Sequence, residues 1–177
     1  MQSAVQIEVY PTDAEAAAAA AALVASQARA AGKRATVAVG AGRSGRPVLV
    51  ALASCSDLPW STVEWFLADE RCGVGPDGAL GSLVGGAAAL DASSWVAVVP
   101  GDPPRVTVTP ALIDRARHVI VTAIGPDTAD AVAAALRDGR GPAARVLPSS
   151  RVTWVVDRTA AGRLLAEAKP VDDAPGS

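Results

Sequence analysis

The sequence predicts an α/β fold: an open, mostly parallel sheet with helices on both faces. Three observations predict it. Short apolar runs alternate with helical patterns along nearly the whole chain. Glycine-rich or proline-containing turns follow several of those runs at once. The apolar runs are short and continuous, as in strands buried on both sides of a parallel sheet.

Taken in order, Val5 to Tyr10 alternate as a strand, and Pro11-Thr12-Asp13 supply a turn and an N-cap for a long alanine-rich helix ending at Gly32. Ala35 to Val39 is a buried strand that feeds the turn Gly40-Ala41-Gly42, and Pro47 opens a helix through Ala53. Val63 to Ala68 is the next strand, ending at the acidic pair Asp69-Glu70, and Trp60 and Trp65 beside it read as packing residues. Leu83 to Leu90 has a helical pattern. Trp95 to Val99 and Val106 to Thr109 are strands around Pro100-Gly101-Asp102-Pro103-Pro104. A short helix from Pro110 to Arg117, a strand from His118 to Ile124, a turn at Gly125-Pro126-Asp127 and a helix through Arg137 follow, broken between Gly139 and Pro142. Val152 to Val156 is the last strand, and Asp157 is placed to cap the last helix, which runs towards Lys169. Residues 1–169 therefore form one domain and 170–177 a frayed tail.

The chain has 177 residues, half of them hydrophobic and 19% charged, enough for one domain with a substantial core. Its formal charge of −2 offers no excess positive field, which argues against nucleic acid or an anionic membrane surface and for a small-molecule ligand. Cys55 and Cys72 lack metal-ligand spacing and His118 is the only histidine, so no metal or other cofactor is expected. The first residues have neither the basic start nor the apolar block of a secretion signal, and no uncharged run is long enough to cross a bilayer. A cytoplasmic protein is expected.

In parallel α/β sheets, ligands bind beyond the carboxyl ends of the strands. Three segments follow strands and should share that rim: 40–45, 69–78 and 125–128. The second couples Asp69-Glu70-Arg71 to the glycine-rich run from Gly75 to Gly86. Backbone N–H groups in such a turn, where it opens a helix, can hold an anion.

From these residues the chain resembles the 6-phosphogluconolactonase family, which shares a Rossmann-like fold with glucosamine-6-phosphate deaminases. Val37 to Ala53 resemble its first phosphate-side loop, and Phe66 to Cys72 its Asp-Glu-Arg signature. Gly75 to Gly86 resemble Gly-x-Asp-Gly-His-Thr-Ala-Ser-Leu-Phe-Pro-Gly. Segments 88–99, 104–109, 147–150 and 154–157 follow in the family's order.

The resemblance implies a hydrolase of phosphorylated sugar lactones in the pentose phosphate pathway, with a sugar phosphate or lactone as partner. The candidate substrate-binding and phosphate-binding residues are Gly42, Ser44, Asp69, Arg71, Gly78 and Arg105, within the segments that carry the resemblance, together with Arg43, which the family's first loop lacks. Arg43, Arg71 and Arg105 would grip the phosphate and polarise the ester. Asp69 and Glu70 would bind sugar hydroxyls or hold Arg71, and Gly42, Gly78 and the N–H groups near Ser44 would cradle phosphate.

Four departures accompany the resemblance. The family's histidine base is Ala79 here, and a methyl group cannot take a proton. Asp77 or Glu70 would have to serve instead if catalysis survives; otherwise the scaffold is a non-catalytic binding, regulatory or assembly homologue. The family's phosphate-contacting lysine is Thr128, and Arg43 is an addition to the first loop. Between Cys72 and Gly75 the family has several dozen residues, including a strand, where this chain has only Gly73-Val74. Either the sheet closes over that gap or a second subunit covers the exposed edge, which would make a homodimer. His118 reads as structural, since a strand of about six residues sets it about 20 Å from the rim.

Overall fold

The structure, a computed structural model, describes residues 4–31, 35–40, 42–71, 96–99, 105–145 and 151–167. The chain begins with β1 (Ala4–Tyr10) and α1 (Asp13–Ala31). Thr12 caps α1: its hydroxyl accepts from the Glu15 N–H at 3.2 Å, while the Glu15 carboxylate accepts from the Thr12 N–H at 3.0 Å. This reciprocal capping box satisfies two donors that the helix start leaves open. The alanines of α1 form a buried stripe, Ala16, Ala17, Ala20, Ala21, Ala25 and Ala28, whose small side chains let the helix lie close on its neighbours.

Next come β2 (Ala35–Gly40), α2 (Gly45–Ala53), β3 (Val63–Arg71), β4 (Val96–Val99) and β5 (Arg105–Val108). They are followed by α3 (Pro110–Ile113), β6 (Val119–Ala123), α4 (Ala129–Leu136), β7 (Arg151–Asp157) and α5 (Gly162–Glu167). β7 lies between β1 and β6, parallel to both, and β2 is parallel to β3. β5 joins β3 and β4 antiparallel. The sheet arrangement is therefore mostly parallel, as the alternation of strands and helices implies.

Two apolar layers bury β7. On one face Val155 meets the alanine stripe of α1, with Leu52, Leu58, Val63 and Ile124 completing that cluster. On the other, Val152, Trp154 and Val156 meet Val132 and Ala135 of α4 and Ala160 and Ala161 ahead of α5. Val155 and Val156 are fully buried, so β7 is covered on both sides, with Thr153 the one polar residue within its buried stretch from Val152 to Val156.

Element boundaries differ from the sequence reading where tertiary pairing intervenes. β3 continues through Asp69, Glu70 and Arg71 because these pair with Thr107, Val106 and Arg105 of β5, so the charged triplet belongs to the strand itself. α2 starts two residues before Pro47, whose missing N–H falls in the first turn where no partner is required. α3 stops at Ile113, short of Arg117. Trp60 and Trp65 pack on each other at 5.2 Å between ring centroids, tilted by 30°. With Val39, Leu49, Leu52, Phe66 and Leu67 they line an apolar hollow of about 270 Å³. Both are packing residues.

The expected helix at 83–90, the tail at 170–177 and the shortened junction at 72–75 lie outside the described residues. Among the described residues, no helix is long and apolar enough to cross a membrane.

Candidate functional site

The parallel strands β2, β6 and β7 end in three loops that converge at one rim. The chain leaves β2 through Gly42, Arg43 and Ser44 and enters α2 at Gly45. The N–H groups of Gly45 and Arg46 both bond to the Gly42 carbonyl, at 3.0 and 2.9 Å, which winds this loop into the helix start. A Cβ on Gly45 would stand 1.7 Å from the Gly40 carbonyl oxygen, so the turn closes only around a residue without a side chain.

Three side-chain bonds fasten the loops to one another. The Ser44 hydroxyl accepts from the Ile124 N–H at 3.2 Å, joining the loop after β2 to the end of β6. Arg43 forms an exposed ion pair with Asp127 across the same gap. From the end of β7, the buried Asp157 carboxylate accepts from the Gly125 N–H at 3.1 Å and the Ala160 N–H at 2.9 Å, while its other oxygen accepts from the Thr159 hydroxyl at 2.7 Å. Asp157 therefore caps the turn before α5 and also grips the loop after β6.

Gly125 itself has φ +88° and ψ 160°, a conformation that side chains strongly disfavour. Thr128 closes this turn by donating its hydroxyl to the Gly125 carbonyl at 2.8 Å. The Thr128 side chain thus has a local structural partner.

The residues expected at the site separate into three groups. Gly42, Arg43 and Ser44 lie on the described rim. The two N–H groups immediately after Ser44 are used within the loop, and the Arg43 guanidinium is paired with Asp127. Asp69, Glu70, Arg71 and Arg105 are placed by strand register: Arg71 pairs with Arg105 where β3 and β5 run antiparallel, bringing two arginine positions side by side. Asp77 and Gly78, with Ala79, lie outside the described residues.

His118 sits at the start of β6 with Nε2 2.8 Å from the Thr153 hydroxyl. Burial, aided by the positive charge of Arg151, lowers its pKa below the usual imidazole value, opposed by Glu8. It belongs to the opposite end of the strand from the rim.

Asp127, Asp157 and Gly45 complete the rim but were not singled out as site residues from sequence. Asp157 carried a sequence signal of its own, as a residue just after a strand and before a helix, while Asp127 and Gly45 lay within the segments 125–128 and 40–45 that follow strands. Asp127 and Gly45 take their roles from neighbours distant in the chain or from a close backbone approach.

The family model described as glucosamine-6-phosphate isomerases/6-phosphogluconolactonase matches this chain over residues 11–72 and 73–155. The two matched segments abut between Cys72 and Gly73, within the junction where the sequence comparison places the shortening. A 6-phosphogluconolactonase of Mycobacterium tuberculosis is 36% identical over 100 residues, covering 52% of this chain and 40% of the relative. A probable 6-phosphogluconolactonase 2 of Arabidopsis thaliana is 34% identical over 101 residues, covering 54% of this chain and 39% of its own length. The chain thus aligns with about two fifths of the length of these curated relatives. In fold it is similar to the 6-phosphogluconolactonase structure from Trypanosoma brucei. That match has a TM-score of 0.73 at 17% identity, with 92% of this chain and 100% of the other covered.

Proposed function

The chain belongs to the glucosamine-6-phosphate isomerase/6-phosphogluconolactonase family, and from that premise we propose a 6-phosphogluconolactonase-like role in sugar-phosphate metabolism. The protein holds a phosphorylated sugar acid or its lactone at the rim, without the family's rapid ring opening. The observation behind this reading is the joining of Arg43 to Asp127 across loops that Ser44 and Asp157 fasten in place. A phosphate dianion offers the guanidinium a second anionic partner with matching forked geometry. Because the Arg43 pair is exposed, little stability is lost when Asp127 yields to it. The positions of Arg71 and Arg105 are adjacent in register where β3 and β5 run antiparallel.

Hydrolysis requires a base to take a proton from water as it attacks the lactone carbonyl. Ala79 stands at that position in the sequence and has no group to receive it. The protein accordingly binds its ligand and turns it over no faster than water does. Phosphorylated sugars are charged and do not cross membranes unaided, which supports a cytoplasmic location.

The test is hydrolysis of 6-phosphogluconolactone by the purified protein beside its Ala79→His variant. The starting protein is expected to match the spontaneous rate, and the variant to exceed it by roughly 10²-fold, the lower end of what a positioned base supplies. Activity in the starting protein that disappears in Asp77→Asn would instead assign a hydrolase with Asp77 as its base.

A further inference from the structure

β1 is an edge strand with an unusual distribution of side chains. Val5, Ile7 and Val9 are 54%, 47% and 43% exposed, whereas Glu8 and Tyr10 on the other face are half-buried. The register explains which face is open. Val5, Ile7 and Val9 stand beside Val152, Trp154 and Val156 of β7, which α4 and the segment before α5 cover. The apolar face of the sheet therefore continues onto β1 beyond its cover.

Among the described residues, the main chain of β1 is open in the same places. The Tyr10 carbonyl accepts from the Arg158 N–H at 2.8 Å, so the even-numbered residues of β1 direct their peptide groups towards β7. Peptide groups alternate sides along a strand, so those of Val5, Ile7 and Val9 point to the free edge. Among the described residues β1 pairs only with β7. An apolar edge with unpaired peptide groups is a template for another strand.

The sequence of β1 specifies which strand. In an antiparallel pairing of two copies centred on Ile7, Ile7 faces the partner's Ile7 and Val5 faces the partner's Val9. All outward-pointing peptide groups then meet as hydrogen-bonded pairs, each exchanging two bonds. On the opposite face Gln6 falls across from the partner's Glu8, extending the amide-to-carboxylate bond that Gln6 already makes to Glu8 at 2.7 Å. Shifting the centre to Glu8 would oppose two carboxylates, and shifting it to Gln6 would leave Val9 without an apolar partner.

We propose that β1 is the interface of a homodimer, in which two copies of this chain pair antiparallel about a two-fold axis through Ile7 and continue one sheet across both subunits. This edge is separate from the one that the shortening near Cys72 would expose.

The test combines sedimentation with site-directed cross-linking of the full chain. The protein should shift from monomer to dimer with rising concentration in the micromolar range. Ile7→Lys should remain monomeric with an unchanged circular dichroism spectrum. With Cys55 and Cys72 changed to serine, Ile7→Cys should form a disulfide-linked dimer under mild oxidation. The facing Cα atoms would lie about 5.5 Å apart, inside the span of about 4.4 to 6.8 Å that a disulfide bridges. Gln6→Cys should link far less, because its equivalent lies one diagonal away. If Ile7→Lys fails to fold, the cross-linking pair decides. A monomer at every concentration, a dimer that survives in folded Ile7→Lys, or equal linking at positions 6 and 7 would overturn the proposal.

Discussion

The rim and the β1 edge are both surfaces at which strands meet solvent, yet they treat their polar groups in opposite ways. At the rim, the side chains of Ser44, Thr128, Asp157 and Thr159 bond across or within loops, and Arg43 and Asp127 pair with each other. At β1 the outward peptide groups and the side chains of Val5, Ile7 and Val9 have no such use among the described residues. The rim is therefore shaped by bonds within the subunit, before any ligand arrives, while the outer side of β1 has no partner strand among the described residues. A preorganised loop set suits recognition of a small anion, since little ordering is left to oppose binding.

The sharpest way to break this contrast is Gly45→Ala. Its methyl group would overlap the Gly40 carbonyl, forcing the first loop away from the helix start, and roughly 3 kcal/mol of stability should be lost. Denaturant unfolding measures it, and a loss below about 1 kcal/mol would mean that the loop is not held closely. Asp157→Ala comes next. It removes one buried carboxylate from three donors, two of them main-chain N–H groups of different loops, and should cost about 2 to 3 kcal/mol. The Gly125 amide should then exchange with solvent faster, readable by hydrogen exchange. At the edge, Ile7→Lys should alter the stability of the isolated subunit by less than about 0.5 kcal/mol, because the side chain is already exposed. A large loss there would show that β1 is part of the core and erase the contrast.

Much of the fold was legible because local pattern and tertiary demand agree. Thr12 forms the N-cap that the turn Pro11-Thr12-Asp13 suggests, with Glu15 completing it, and the stretch from Val152 to Val156 became the strand covered on both faces. Where the elements depart from the pattern, a long-range partner is responsible: β5 extends β3 through charged residues that no apolar periodicity would include.

The rim was legible as a location but not as a network. Segments following strands identified the loops at 40–45 and 125–128. The bonds that make them one unit join Ser44 to Ile124, Arg43 to Asp127 and Asp157 to Gly125, residues far apart in the sequence. No local spacing reports such pairs. Ala79 is the opposite case: the resemblance of its surrounding motif implies from sequence alone that a base is missing, at a position outside the described residues.

The proposed function has the fastened rim bind a sugar phosphate through Arg43, with Ala79 at the position of the base that would open its lactone. Calorimetric titration of 6-phosphogluconate into the protein and its Arg43→Ala variant tests it most directly. Binding is expected in the starting protein and should weaken roughly tenfold or more in the variant, as when a charge-assisted hydrogen bond is removed. Equal affinity in both, or no binding to the starting protein, would contradict the account.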